Sequence, residues 1–231
     1  MSETFEIKVI GHIYNDYKEK FGIPRQSGLT KSVISKIVFE KEFSSKVFFK
    51  DLEEFTHIWL IWQFSETIGK DTTPTVRPPK LGGNERVGVF ATRSPFRPNN
   101  IGLSAVKIEK IDYEDDYGTA IYVSGADLMN GTPIFDIKPY LPYTDIRLDA
   151  SNGFALNDTE GFLNIECSDE ILNTTPRHII EGLFETLKHD PRPSYQNDNE
   201  RLYGMSFGDY QVKFKVIDKT LEIIDIIKST P

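Results

Sequence analysis

The feature that most constrains the fold is a change in apolar spacing near residue 150. Before it, apolar residues fall in short runs broken by Gly, Pro, Asn and Asp, with no helical period. Such runs predict strands at 5–13, 32–39, 56–64, 86–92, 103–112, 119–126 and 134–138. Asp115-Asp116-Tyr117-Gly118 supplies a turn, and 48–55 reads as a short helical turn. Residues 15–29, 67–86 and 127–133 read as loops. Many short strands with little helix favour a mainly β barrel or sandwich.

After 150 the pattern differs. Thr175-Pro176 predicts a helix start, with Thr175 as N-cap and Pro176 at N1. Ile179, Ile180, Leu183, Phe184 and Leu187 share one helical face, and Pro191 stops it. A hairpin about Gly208-Asp209 and a last strand from Thr220 follow. The expected division is 5–149 for the β unit and 150–231 for a small α+β unit.

A chain of 231 residues buries a core without staples, and its single cysteine, Cys167, excludes an internal disulfide. Cys167 is expected to be buried and inert. The start MSETFEIKVIG is not a signal peptide, and no run approaches bilayer length. A soluble, cytoplasmic setting without metal or membrane is expected. Net charge is −8, which argues against a uniformly basic coat but allows a local basic patch.

That patch is visible. Arg77, Lys80, Arg86, Arg93 and Arg97 face only Glu85 within 77–100. Pro95 and Pro98 stiffen the backbone beside them, which suits phosphate or carboxylate binding. A solvated loop paired with distant acids fits the same pattern. In Asp127–Tyr140, Asn130-Gly131 is a turn and Thr132-Pro133 launches a strand that puts Asp136 and Lys138 on one side. An ordinary surface ion pair fits that too. Pro24-Arg25-Gln26 and Asp190-Pro191-Arg192-Pro193-Ser194-Tyr195 are polar displays, readable as surface loop and helix-stop linker respectively. His57 reads as a satisfied core histidine. Phosphate-loop, nucleophile-elbow and zinc-protease signatures are absent from the sequence.

Several of these segments occur together, in order. Pro24-Arg-Gln-Ser-Gly-Leu, Phe55-Thr-His-Ile-Trp-Leu, Arg77-Pro-Pro-Lys-Leu-Gly-Gly-Asn, Gly88-Val-Phe-Ala-Thr-Arg-Ser-Pro-Phe-Arg-Pro-Asn, Ile101-Gly-Leu-Ser and Gly131-Thr-Pro-Ile-Phe-Asp-Ile-Lys-Pro-Tyr resemble the TrmO family, also described as TsaA-like or YaeB-like. Asp190-Pro-Arg-Pro-Ser-Tyr with Tyr203-Gly extends the likeness past 150. The resemblance implies a single-sheet antiparallel β-barrel and a homodimer that binds S-adenosylmethionine. It implies N6-methylation of threonylcarbamoyl-adenosine at tRNA position 37. Implied cofactor contacts are Pro24, Arg25, Gln26, Ser65, Glu66, Arg93, Leu103, Asn130, Gly131, Thr132 and Pro133.

This chain departs from the family pattern at Tyr14-Asn15-Asp16, Ser65-Glu66, Asn100 and Asn130. On this reading Asn130 and the carbonyls of 130–133 accept from N6, Asp136 takes a proton or fixes Lys138, and Tyr140 stacks on a base. Arg77, Lys80, Arg86, Arg97, Arg192 and Tyr195 would meet the anticodon arm. Alternatives are methylation of another substrate, a non-enzymatic barrel that binds S-adenosylmethionine or RNA, and a hydrolase using Asp136 with an exposed His57.

Overall fold

The computed structural model describes residues 3–78, 81, 84–154, 162–192 and 198–229. Its first unit is a closed antiparallel barrel of β1 (Gly11–Tyr14), β2 (Ile34–Phe39), β3 (His57–Gln63), β6 (Ile101–Asp115), β7 (Gly118–Ser124) and β8 (Thr132–Pro139). The order around the barrel is β1-β2-β7-β6-β3-β8, and β8 returns to β1 through Ile13↔Thr132 and Gly11↔Ile134. A pair of two-residue strands, β4 (Thr75–Val76) and β5 (Val87–Gly88), lies outside it.

Alternation explains which side chains fill the barrel. Along β3, Ile58, Leu60 and Trp62 are buried, while His57 points outward and is exposed. The core histidine expected at 57 is therefore corrected: the strand is right, but its pleat turns His57 to the outside. Ile13, Ile37, Val106, Ile121 and Ile134 meet the β3 residues inside, joined by Phe39 and Phe49. Gly118 adopts φ +97° at the β6–β7 turn, a conformation glycine takes without steric cost.

Two predicted strands shrink. Residues 5–10 are not strand, and Phe5 and Ile7 stay exposed; pairing begins at Gly11. Of 86–92 only Val87–Gly88 pairs, because Val89–Ala91 tightens into a 3-10 turn with Val89 N–H bonded to the Pro74 carbonyl. The helical turn expected at 48–55 is present as 3-10 segments at Lys46–Phe49 and Leu52–Glu54.

Short helices α1 (Pro142–Asp145) and α2 (Asp169–Thr174) lie on either side of β9 (Asn164–Cys167). Helix α2 has a local signature: Ser168 caps it by accepting from the Ile171 N–H, with Asp169 and Glu170 in the first turn. Helix α3 (Arg177–Lys188) starts one residue later than expected. Pro176 is its N-cap, and the Pro176 carbonyl accepts from the N–H groups of Ile179 and Ile180. Strands β10 (Tyr203–Phe207), β11 (Tyr210–Ile217) and β12 (Thr220–Lys228) complete a four-stranded sheet ordered β10-β11-β12-β9, with β9 parallel to β12. Ile179, Leu183 and Leu187 of α3 pack on Phe207, Val212, Phe214 and Leu221. Each such fully buried side chain contributes about 1.5–3 kcal/mol. Cys167 is half-buried rather than fully buried, and burial pushes its thiol pKa up.

The chain between β1 and β2 joins the two units. Tyr17 and Val33 leave the barrel and enter the C-terminal core. The Tyr17 ring meets Phe207 edge-on at 6.0 Å, and its hydroxyl lies 2.8 Å from Thr30 Oγ1. Burial raises the Tyr17 pKa to about 12, so it stays protonated. Tyr17→Ala is expected to cost about 3–5 kcal/mol. Tyr17→Phe, which keeps the ring, is expected to cost about 1 kcal/mol. Urea unfolding checks both; equal losses would place the effect in the hydroxyl and not in the packing.

Candidate active site at the barrel rim

One rim of the barrel gathers the end of β3, the start of β6 and the start of β8. A cavity of about 1060 Å³ opens there. Its floor is built from Trp62, Gly102, Leu103 and Phe64. A Cβ on Gly102 would lie 2.3 Å from the Trp62 ring, so only glycine permits this contact. Segment 20–26 forms one wall, and the end of α3 another, through Thr186, His189 and Asp190. The C-terminal unit therefore contributes to a cavity at the barrel rim.

The polar wall is ordered by side chains. Trp62 Nε1–H donates to Ser104 Oγ at 3.0 Å, and Ser104 donates to Asp127 Oδ1 at 2.5 Å. Burial raises the Asp127 pKa, partly offset by the Ser104 hydrogen bond and the Arg93 charge. Arg93 itself donates to Gln26 Oε1. Asn100 folds the loop that presents Arg93: its amide donates to the Pro95 carbonyl at 2.7 Å and to Thr67 Oγ1 at 3.2 Å.

The loop 127–132 is held by a two-way latch. Asn130 Oδ1 accepts from the Asn15 N–H at 2.9 Å, and the Asn130 N–H donates to the Tyr17 carbonyl at 2.8 Å. Asn15 Nδ2 donates to the Leu128 carbonyl at 2.9 Å. Gly131, at φ +80°, donates to the Ile13 carbonyl at 2.7 Å.

The structure brings together Pro24, Arg25, Gln26, Ser65, Glu66, Arg93, Leu103 and Thr132, all lining the cavity. Asn130, Gly131 and Pro133 do not line it; they shape the turn that places Met129 and Thr132 on its surface. Asp136, Lys138 and Tyr140 lie outside. Asp136 and Lys138 form an outward ion pair at 3.0 Å, and Tyr140 leans on Trp59 at 5.3 Å between ring centres. His57 is exposed, yet Asp136 sits opposite Ile61, four residues further along β3. That separation is roughly 13 Å along the strand, too far for a dyad.

Among the expected nucleic-acid contacts, Arg97 lines the cavity, while Arg77 is exposed on the flanking hairpin. Arg86 is exposed but donates to Thr75 Oγ1 at 2.7 Å. Arg192 is buried and grips Asp190 through two bonds of 2.9 and 2.8 Å. Lys80 and Tyr195 lie outside the described residues. Sequence reasoning gave no role to Trp62, Ser104 or Asp127. Trp62 looked like core within an apolar strand, and the available signal for Asp127 was an acid just before a tight turn at a strand end.

Among the described residues no cluster of three or more His, Cys, Asp or Glu is arranged to hold a metal. No helix there is long and apolar enough to cross a membrane.

Comparison with known proteins agrees over both units. Residues 12–146 match the model of the tRNA-methyltransferase O N-terminal domain, and 166–229 that of the TrmO C-terminal domain. The chain is 37% identical over 228 residues to a tRNA (adenine(37)-N6)-methyltransferase of Escherichia coli, covering 95% of this chain and 97% of that one. It is 44% identical over 177 residues to the enzyme of that name from Eikenella corrodens, covering 75% and 97%. A crystal structure of TrmO from Pseudomonas aeruginosa superposes with a TM-score of 0.80 at 30% identity, over 99% of each chain. With both of its units matched in order and nearly its whole length shared, the chain belongs to the tRNA-methyltransferase O family.

Proposed function

We propose that this chain transfers a methyl group from S-adenosylmethionine to N6 of adenosine 37 in tRNA. The observation that carries this reading is convergence: family-like segments distant in sequence, including Pro24-Arg25-Gln26, Arg93 and Thr132, meet around one cavity. Relatives named as tRNA (adenine(37)-N6)-methyltransferases support the reaction, and others named as S-adenosylmethionine-dependent methyltransferases support the donor.

The residues present fit the donor. Its carboxylate suits Arg93, its adenosine suits the aromatic and aliphatic floor, and its cationic sulfonium suits a wall carrying Asp127 and the Met129–Thr132 backbone. Pro24, Arg25, Gln26, Ser65, Glu66, Arg93, Leu103 and Thr132 would hold it, with Asn130, Gly131 and Pro133 fixing the turn behind. When bound, it supplies an electrophilic methyl carbon. The chain's task is to hold an acceptor nitrogen about 3–3.5 Å away and in line.

Lys20, Arg25, Arg93 and Arg97 at the cavity, with Arg77 and Arg86 on the adjoining hairpin, supply local positive charge on a chain of net charge −8. In this proposal they receive the anticodon arm. Threonylcarbamoyl-adenosine is the proposed form of the acceptor. The barrel at 5–149 is the catalytic unit and 150–231 closes the cavity. A cytoplasmic homodimer belongs to the same proposal; Phe90 and Leu103 are exposed apolar side chains, Leu103 on the cavity itself.

Mass spectrometry of tRNA nucleosides, with and without the gene, should show one methylated adenosine disappear with it. Purified protein should label total tRNA and not protein; binding without turnover would favour a binding module. Arg93→Ala should weaken S-adenosylmethionine about 10- to 100-fold, the loss of a charge-assisted contact. Calorimetric titration reads this, and unchanged affinity would remove Arg93 from the cofactor site. Arg192→Ala should instead lower stability by about 1.5–3 kcal/mol, because it leaves the Asp190 carboxylate unpaired. A normal urea midpoint with weaker tRNA binding would restore Arg192 as a contact.

A further inference from the structure

Methyl transfer to an exocyclic nitrogen leaves one proton to remove. The cavity offers Glu66, Asp127 and Asp190 as carboxylates. Asp190 is committed to Arg192 through both its oxygens. Glu66 is exposed on a 3-10 turn, in water. Asp127 differs. It is half-buried, and a fixed chain of donors orients it: Trp62 indole to Ser104 hydroxyl to carboxylate. The Ser27 and Asp127 backbone N–H groups also assist it. These donors number fewer than the roughly four acceptor positions of a carboxylate.

We propose that Asp127 is the catalytic base, taking the N6 proton directly as the methyl group is transferred. The inference rests on the methyl-transfer reading above. As the acceptor nitrogen forms its bond to the methyl carbon, the carbon–sulfur bond breaks and its electron pair stays on sulfur. The N6 proton passes to the Asp127 carboxylate, which becomes a neutral acid and later releases the proton to water. Nothing is oxidised or reduced. The nitrogen is a weak nucleophile because its lone pair is delocalised, so removing its proton during attack lowers the barrier.

Burial raises the Asp127 pKa toward the working range, where a carboxylate is the more effective base. The titratable and charged groups that share the cavity with it are Lys20, Arg25, Arg93, Arg97, Glu66, His189 and the Arg192-paired Asp190, and of these Arg93 acts on it electrostatically. Because the folded value lies above the unfolded one, the ionised carboxylate costs stability once pH exceeds the unfolded value. At neutral pH, removing its charge should therefore not weaken the fold.

Asp127→Asn keeps the shape and loses the base. Expected with total tRNA at saturating S-adenosylmethionine are a kcat about 10²- to 10⁴-fold lower and a melting temperature at pH 7 equal to or above wild type. Retained turnover overturns the proposal, as does a loss that saturating S-adenosylmethionine restores. Ser104→Ala removes a donor that lowers the Asp127 pKa, so the acid limb of kcat should move to higher pH; an unmoved limb also overturns it. A wild-type chain that binds the cofactor and methylates no tRNA would overturn the methyl-transfer reading itself, an outcome distinct from any Asp127 result.

Discussion

The hydrogen bonding that ties the segment from Asn15 to Tyr17 onto the loop from Leu128 to Asn130 is the constraint on which the site depends. Neither Asn15 nor Asn130 touches the cavity, yet between them they close the end of β1 onto the loop before β8. That closure fixes where Met129, Thr132 and Asp127 stand. It also sends the chain onward so that Tyr17 leaves the barrel and enters the other core. Buried amides with their hydrogen bonds made specify one arrangement, because the alternatives leave polar groups unpaired in a poorly solvated place.

Charge follows the same economy. The acids of the cavity wall differ in role because their surroundings differ. Asp190 is neutralised in place by Arg192, which in turn lets Arg25 rest on the backbone carbonyls of both residues, 3.3 and 3.0 Å away. Among the described residues Asp127 has no ion-pair partner at contact distance; it is met by a hydroxyl, backbone donors and the more distant Arg93. Outward-facing pairs such as Lys138–Asp136 and Lys107–Glu109 are solvated and contribute little. Ion pairs on the barrel exterior are thereby separated in kind from the polar wall of the cavity.

Local features were legible in the sequence and long-range ones were not. The alternation of β11, the Gly118 and Gly208 turns and the apolar face of α3 all follow from residue spacing. Asp136 and Lys138 do share a face, as their spacing requires, but spacing cannot say which face: a one-residue register shift exchanges inside for outside. His57 was misplaced for the same reason. Strand 86–92 had the right composition, yet only two of its residues found a partner strand. Barrel order pairs strands far apart in sequence, such as β1 with β8, and no local pattern encodes that. The polar chain from Trp62 to Asp127 spans three separate segments, so nothing short of the folded arrangement reveals it.

The packing of Trp62 against Gly102 has a further consequence. The chain contains two tryptophans, and both Trp59 and Trp62 line the cavity. Indole emission responds to the polarity and quenching groups around the ring. The protein's entire tryptophan fluorescence therefore originates at this one place, which makes the site an intrinsic optical probe of its own occupancy, with no dye or label attached.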